Sequence, residues 1–217
     1  NTGMFFEKNK RAFMILQNLF NFDNWTIMNA DSGVFNPGDM KADFVYMDAG
    51  GRYGMLAVMK EDNGNYFIAE MDWNAASYDQ VPVYRYDLMH LPEVQNGDVV
   101  NWAFGTAQIN MAYYATANEV KQFSVDAGQK IIPETLKMTN NDPIIFEGEI
   151  TMMKILKPAI LTDYYMSNVE MVIGTYGGTI GSGKLYSLEL DPTSGRAKSV
   201  KSYSGFDRIY DVVLKVY

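Results

Sequence analysis

The chain has 217 residues, a formal net charge of −8, 47% hydrophobic and 14% aromatic residues, and no cysteine. That length and apolar content can bury a core, which excludes a disordered chain, and no apolar run reaches the ~20 residues of a membrane-spanning helix. The acidic surface repels phosphate backbones and argues against a nucleic-acid partner, while the missing cysteine removes disulfides, zinc–thiolate centres and thiol catalysis together.

From its first residues the chain reads as strands. An apolar-aromatic run at 3–6, a polar turn at 7–11 and a second apolar run at 12–16 predict a hairpin. The phrase returns at 54–59 and 66–71 around the turn Asp62-Asn63-Gly64-Asn65, whose Asn and Gly accept positive φ cheaply. A third copy spans 111–125. A fourth joins 169–176 to 184–190 through the longer, flexible, glycine-rich tip 177–183. Strand signals flank the hairpins at 43–47, 83–88, 99–104, 149–156 and 199–203, and Asp191-Pro192-Thr193-Ser194-Gly195-Arg196 is a further turn. The one weak helical signal, 132–138, contains Pro133 and Thr135 and predicts no more than a short turn. The segment 208–217 reads as a last, lone strand.

The turn centres fall roughly 50–60 residues apart, the mark of a repeated β-module. The fold expected is all-β: a β-propeller or part of one, built from antiparallel blades of three to four strands. Four blade units at about 1–40, 41–95, 96–145 and 146–207 and a closing strand at 208–217 make one domain of 1–217. A β-sandwich is the alternative, since it too uses many short strands at even spacing. The chain opens inside a hairpin, and the expectation is that it is the C-terminal part of a longer precursor.

Chemistry-bearing residues are sparse. His90 is the only histidine, and it sits in an apolar stretch, Leu88-Met89-His90-Leu91-Pro92, that reads as structural. Asp43, Asp48, Asp72, Asp87, Asp163 and Asp211 could in principle supply the carboxylate pair of a glycoside hydrolase, but most fall at strand ends, where Asp ordinarily caps turns. The glycine-rich tip lacks the Lys-Ser/Thr ending of a phosphate loop. Glu61 with 62–65 offers oxygen ligands without the spacing of a calcium loop. No catalytic residue, metal ligand or cofactor is therefore expected. Aromatics are the better lead. Trp73-Asn74 enters a polar loop that reaches Tyr78, and Trp25 lies beside Asn24 and Asp23. A flat apolar ring with amide groups beside it suits a sugar or peptide, so Trp73, Asn74, Tyr78 and Trp25 are the expected ligand-binding residues. Trp102 alternates with Val100 and Phe104 and reads as core.

Gly3-Met4-Phe5-Phe6-Glu7-Lys8-Asn9-Lys10-Arg11-Ala12-Phe13 resembles a hairpin of the PKD-like family of Bacteroidetes surface lipoproteins. Tyr113-Tyr114-Ala115-Thr116-Ala117-Asn118-Glu119-Val120 and Val172-Ile173-Gly174-Thr175-Tyr176 with Gly183-Lys184-Leu185-Tyr186 are similar to further strand pairs of that family, and Gly205-Phe206-Asp207-Arg208-Ile209-Tyr210-Asp211-Val212 to its terminal strand. The chain departs from the pattern at Gln122-Phe123-Ser124. The resemblance implies a C-terminal propeller-like region of an accessory lipoprotein. It would be held at the bacterial outer membrane by an upstream lipidated segment, beside a TonB-dependent importer of glycans or peptides. It implies a non-enzymatic binding role for an oligosaccharide or peptide. A glycoside hydrolase or lyase on a propeller, and a purely structural scaffold subunit, remain the alternatives.

Overall fold

Among the described residues every regular element of the computed structural model is a β-strand, and every pairing within the sheets is antiparallel. The structure describes residues 2–6, 12–17, 25–29, 42–50, 54–72, 83–85, 99–105, 111–125, 131–156 and 169–213. The chain divides into two compact units, Asn1–Leu91 with Asp126–Ile131, and Pro92–Val125 with Ile132–Tyr217.

In the first unit, Thr2–Phe6 (β1), Ala12–Gln17 (β2) and Trp25–Asn29 (β3) form a 3-stranded sheet in chain order. Ala42–Gly50 (β4), Gly54–Glu61 (β5), Tyr66–Asp72 (β6) and Val83–Arg85 (β7) form a 4-stranded sheet, again in chain order. Leu56, Ala57, Val58 and Met59 on β5 and Tyr66, Phe67, Ile68 and Ala69 on β6 are all buried. Successive strand residues point to opposite faces, so unbroken burial means that both faces of this sheet are covered. The turn between β5 and β6 is a plain hairpin. Glu61 N–H donates to Asn65 O at 2.8 Å, Gly64 N–H to Glu61 O at 2.9 Å, and Asn63 Nδ2 to the Glu61 carboxylate at 3.0 Å.

The second unit holds two 4-stranded sheets, each a simple meander. Val99–Phe104 (β8), Met111–Thr116 (β9), Val120–Ser124 (β10) and the two-residue Glu134–Thr135 (β11) make one. Glu149–Leu156 (β12), Val169–Tyr176 (β13), Gly183–Leu190 (β14) and Ala197–Phe206 (β15) make the other. They share one core. Ala103, Tyr113, Ala115 and Val120 from the first sheet meet Ile150, Met153, Ile155, Met171, Ile173, Tyr186, Leu188 and Leu190 from the second. Each of the larger aliphatic side chains among them (Val, Leu, Ile and Met) contributes about 1.5–3 kcal/mol relative to leaving it in water. The first strands of the two sheets are neighbours: Met153 N–H on β12 donates to Asn101 Oδ1 on β8 at 3.1 Å. On its other face the first sheet buries Trp102, Phe104, Tyr114 and Phe123, with the Trp102 and Tyr114 ring centres 5.2 Å apart. The expectation that Trp102 is core therefore holds.

The connection 136–148 runs from the last strand of one sheet to the first of the next, filling the space between them. Leu136 is part of the shared core, and Met138, Ile144 and Phe146 pack against it. Phe146 meets Tyr186 edge to face at 5.2 Å. The turn 191–196 lies against the start of this connection, where Arg196 Nη1 donates to Asn141 Oδ1. The buried Tyr113 hydroxyl donates to Gly195 O at 2.8 Å, a bond between the two sheets, and burial pushes the phenol's pKa well above its ordinary value. Inside the turn the Asp191 carboxylate accepts from Ser194 N–H at 2.8 Å, Ser194 Oγ at 3.0 Å and Thr193 N–H at 3.1 Å.

Those bonds, led by the one from the Ser194 amide, hold the Asp191 carboxyl below its usual value of 3.8. A carboxyl with a depressed folded pKa gives stability that is present above the unfolded value and lost as pH falls through the folded one. Denaturant titrations from about pH 7 to about pH 2 are expected to show Asp191→Asn less stable than the parent at neutral pH, with the gap closing in acid. A gap that stays constant across that range would remove Asp191 from the acid response.

Two sequence expectations need correction. The stretch 132–138, read as no more than a turn, contains β11, whose two residues pair with Lys121 and Gln122. The stretch 208–217, read as a closing strand, is irregular over 207–213, and 214–217 lie outside the described residues. Its bonds explain the difference, because side chains rather than a strand ladder hold it. Thr151 Oγ1 donates to Ile209 O at 2.8 Å, and Lys154 Nζ reaches Asp211 at 2.9 Å and Val212 O at 3.1 Å. From β15, at one edge of the sheet, the chain thus returns across the sheet to β12. Gly174 on β13 permits the close approach, since a Cβ there would lie 3.0 Å from Ile209 Cβ.

Candidate functional site

Trp73, Asn74 and Tyr78 lie outside the described residues, as does His90. Trp25 is the first residue of β3, in register with Leu16, rather than part of a loop between strands; its side chain lies outside the described residues. Of the carboxylates weighed for hydrolysis, Asp87 and Asp163 are outside the described residues, and so is the side chain of Asp72. Asp43 and Asp48 sit on β4, where the Tyr46 hydroxyl donates to Asp48 at 3.0 Å. Asp211 is paired with Lys154, and that bond holds its carboxyl below the usual value. Among the described residues no three histidine, cysteine, aspartate or glutamate side chains converge as a metal site.

The structure instead gathers polar and aromatic groups at one end of the last sheet, where β13 leaves, β14 enters and β15 ends. The hairpin tip 177–182, expected to be a flexible glycine loop, is built around one hydroxyl. Ser182 Oγ accepts from Gly177 N–H and Thr179 N–H, each at 3.1 Å, and donates to Thr179 O. The tip is tethered to the chain after β15 by Gly181 N–H donating to the Asp207 carboxylate at 2.9 Å. Lys184, the second residue of β14, pairs with Glu147 at 2.5 Å. That bond raises the Lys184 pKa above its ordinary value against the opposing effect of burial. Glu147 is itself positioned by its backbone: Thr175 Oγ1 donates to its carbonyl at 2.6 Å, and its N–H donates to the Tyr186 hydroxyl at 2.9 Å.

Next to these groups stands Arg208. Its guanidinium lies over the Tyr176 ring at 5.9 Å from the centre and over the Tyr210 ring at 5.8 Å, within cation–π range of both. Tyr176 ends β13 and is half-buried, whereas Tyr210 is 78% exposed. Sequence reasoning missed this cluster because 208–213 alternates like a strand. The available signal was the spacing of Arg208 and Tyr210, which puts both on one side of an extended segment.

A second polar feature lies in the core of the same unit. Gln122 on β10 is buried, and its Oε1 has no hydrogen-bond partner among the described residues. A buried acceptor left in that state costs about 1–3 kcal/mol.

No protein-family model matches the chain, and no curated protein shows significant similarity to it.

Proposed function

We propose that the chain is a β-propeller, or part of one, and that it works without catalysis as a ligand-binding or docking module of a nutrient-uptake system on a bacterial surface. The carrying observation is the way one meander follows the next in the second unit. β8–β11 and β12–β15 are both four-stranded, both in chain order, and packed face to face with first strand beside first strand. The link 136–148 passes from the last strand of one to the first of the next, and 207–213 starts the same return. Blades arranged around an axis need this connection. A sandwich does not need its two sheets to repeat one another.

A shared irregularity supports the same reading. The first strand of each 4-stranded sheet breaks register with the second near its start, between Phe44 and Tyr46, between Val99 and Asn101, and between Ile150 and Met152. A bulge recurring at one structural position is a designed feature of a module.

The non-enzymatic part of the reading draws on the carboxylates. The two whose pKa is displaced among the described residues, Asp191 and Asp211, are both pushed down, the wrong direction for a general acid. Loops that leave one end of stacked sheets make a natural contact surface on a rigid frame. Anchoring through an upstream lipidated segment and association with a TonB-dependent importer follow from the family resemblance alone. Titration calorimetry against panels of oligosaccharides and peptides, together with affinity purification from the native membrane, tests the proposal. Saturable binding of a panel member or recovery of an importer supports it. Failure of both sinks it.

A further inference from the structure

Arg208 is exposed and lies over two tyrosine rings. The guanidinium is planar and carries five N–H donors in a fixed fork that matches a carboxylate in a bidentate manner. Cation–π contacts with the rings of Tyr176 and Tyr210, at 5.9 and 5.8 Å from the ring centres, position it. Among the described residues none of its donors reaches a protein acceptor. The acidic groups nearby are engaged elsewhere: Asp207 with the Gly181 amide, Glu147 with Lys184, and Asp211 with Lys154. The phenol hydroxyls of Tyr176 and Tyr210 likewise have no hydrogen-bond partner among the described residues. Tyr210, 78% exposed, offers an apolar ring face to solvent.

We propose that Arg208, Tyr176 and Tyr210 form a binding site for a carboxylate-bearing sugar, a hexuronate unit of an acidic oligosaccharide. The fork takes the carboxylate in two parallel charge-assisted hydrogen bonds. The exposed tyrosine ring takes the C–H face of the pyranose, and the two phenols serve its hydroxyls. The net charge of −8 means that no long-range field draws anions in. Recognition therefore depends on contact with both the charge and the ring, and a bare anion is not held. This inference names the ligand class for the binding-module reading and rests on it.

The test uses the full chain and three probes: trigalacturonate, its fully methyl-esterified form, and inorganic phosphate. Calorimetry is expected to show saturable binding of trigalacturonate, at least about tenfold weaker binding of the ester, and none of phosphate. Arg208→Gln is expected to weaken trigalacturonate binding about tenfold or more and to abolish the preference over the ester. Tyr210→Ala is expected to weaken acid and ester alike, because it removes the stacking face. Both residues are exposed, and unchanged thermal unfolding of the variants shows that the fold is intact. Equal affinity for acid and ester, unaltered binding by Arg208→Gln, or no binding of trigalacturonate overturns the inference. Binding of a neutral glycan or a peptide that ignores Arg208 sinks this site while leaving the binding-module reading standing.

Discussion

Gly148→Ala is expected to destabilise the second unit by about 3 kcal/mol or more, the sum of a strained backbone and a steric clash. Gly148 has φ +90°, a conformation that L side chains rarely adopt. A Cβ at this position would also lie 2.8 Å from Tyr176 O and 2.9 Å from Tyr176 C, which are backbone atoms of a central strand and cannot swing away. Relief requires that β12 or the end of β13 move. That movement would disturb the neighbouring bond from Thr175 Oγ1 to Glu147 O and would displace the Tyr176 ring from Arg208. Chemical denaturation measures the loss. If trigalacturonate binding has been established, it should weaken in the same variant under conditions where the protein is still folded. A loss of under about 0.5 kcal/mol, the scale of an ordinary surface substitution, would mean that this link between the sheets is not where the account puts it.

The second large effect is expected at Met171. The side chain sits on β13 with 0% exposure, within the core shared by the two sheets of the second unit. Met171→Ala removes buried apolar atoms and leaves a cavity, at a cost of about 2–5 kcal/mol. The informative readout is where protection from hydrogen exchange is lost. If β8–β10 and β12–β15 share one core, amides in both sheets lose protection together. If only β12–β15 respond, the sheets are separate cooperative units and the shared core is not the source of their stability.

Much of the strand content was legible in the sequence because local chemistry and packing agree. Asp62-Asn63-Gly64-Asn65 and Asp191-Pro192-Thr193-Ser194-Gly195-Arg196 are turn formers by composition, and both are turns with side-chain bonds inside them. The runs on either side of each turn pair with one another, as in β5 with β6 and β14 with β15. Short elements were less legible. β11 has two residues and follows Pro133, so it has too few positions to show a period of two. It is specified by its neighbour β10, not by its own residues.

The cluster at Arg208 was hidden for the opposite reason. Residues 208–213 carry the β-branched and aromatic pattern of a strand, yet Thr151 and Lys154 capture the backbone carbonyls of Ile209 and Val212. Tertiary partners overrode local propensity there. The relation of Tyr176 to Arg208 could not be read from the chain at all, because it depends on the fold of β14 and β15 between them.

A crystal structure of the full chain would test the central claim most directly, because the claim concerns how successive sheets are related. The account predicts that, within the second unit, the sheets of β8–β11 and β12–β15 are related by a rotation that superposes β8 on β12 and each later strand on its counterpart. Two stacked layers lacking such a rotation, with β8 and β12 in unlike positions, would contradict it.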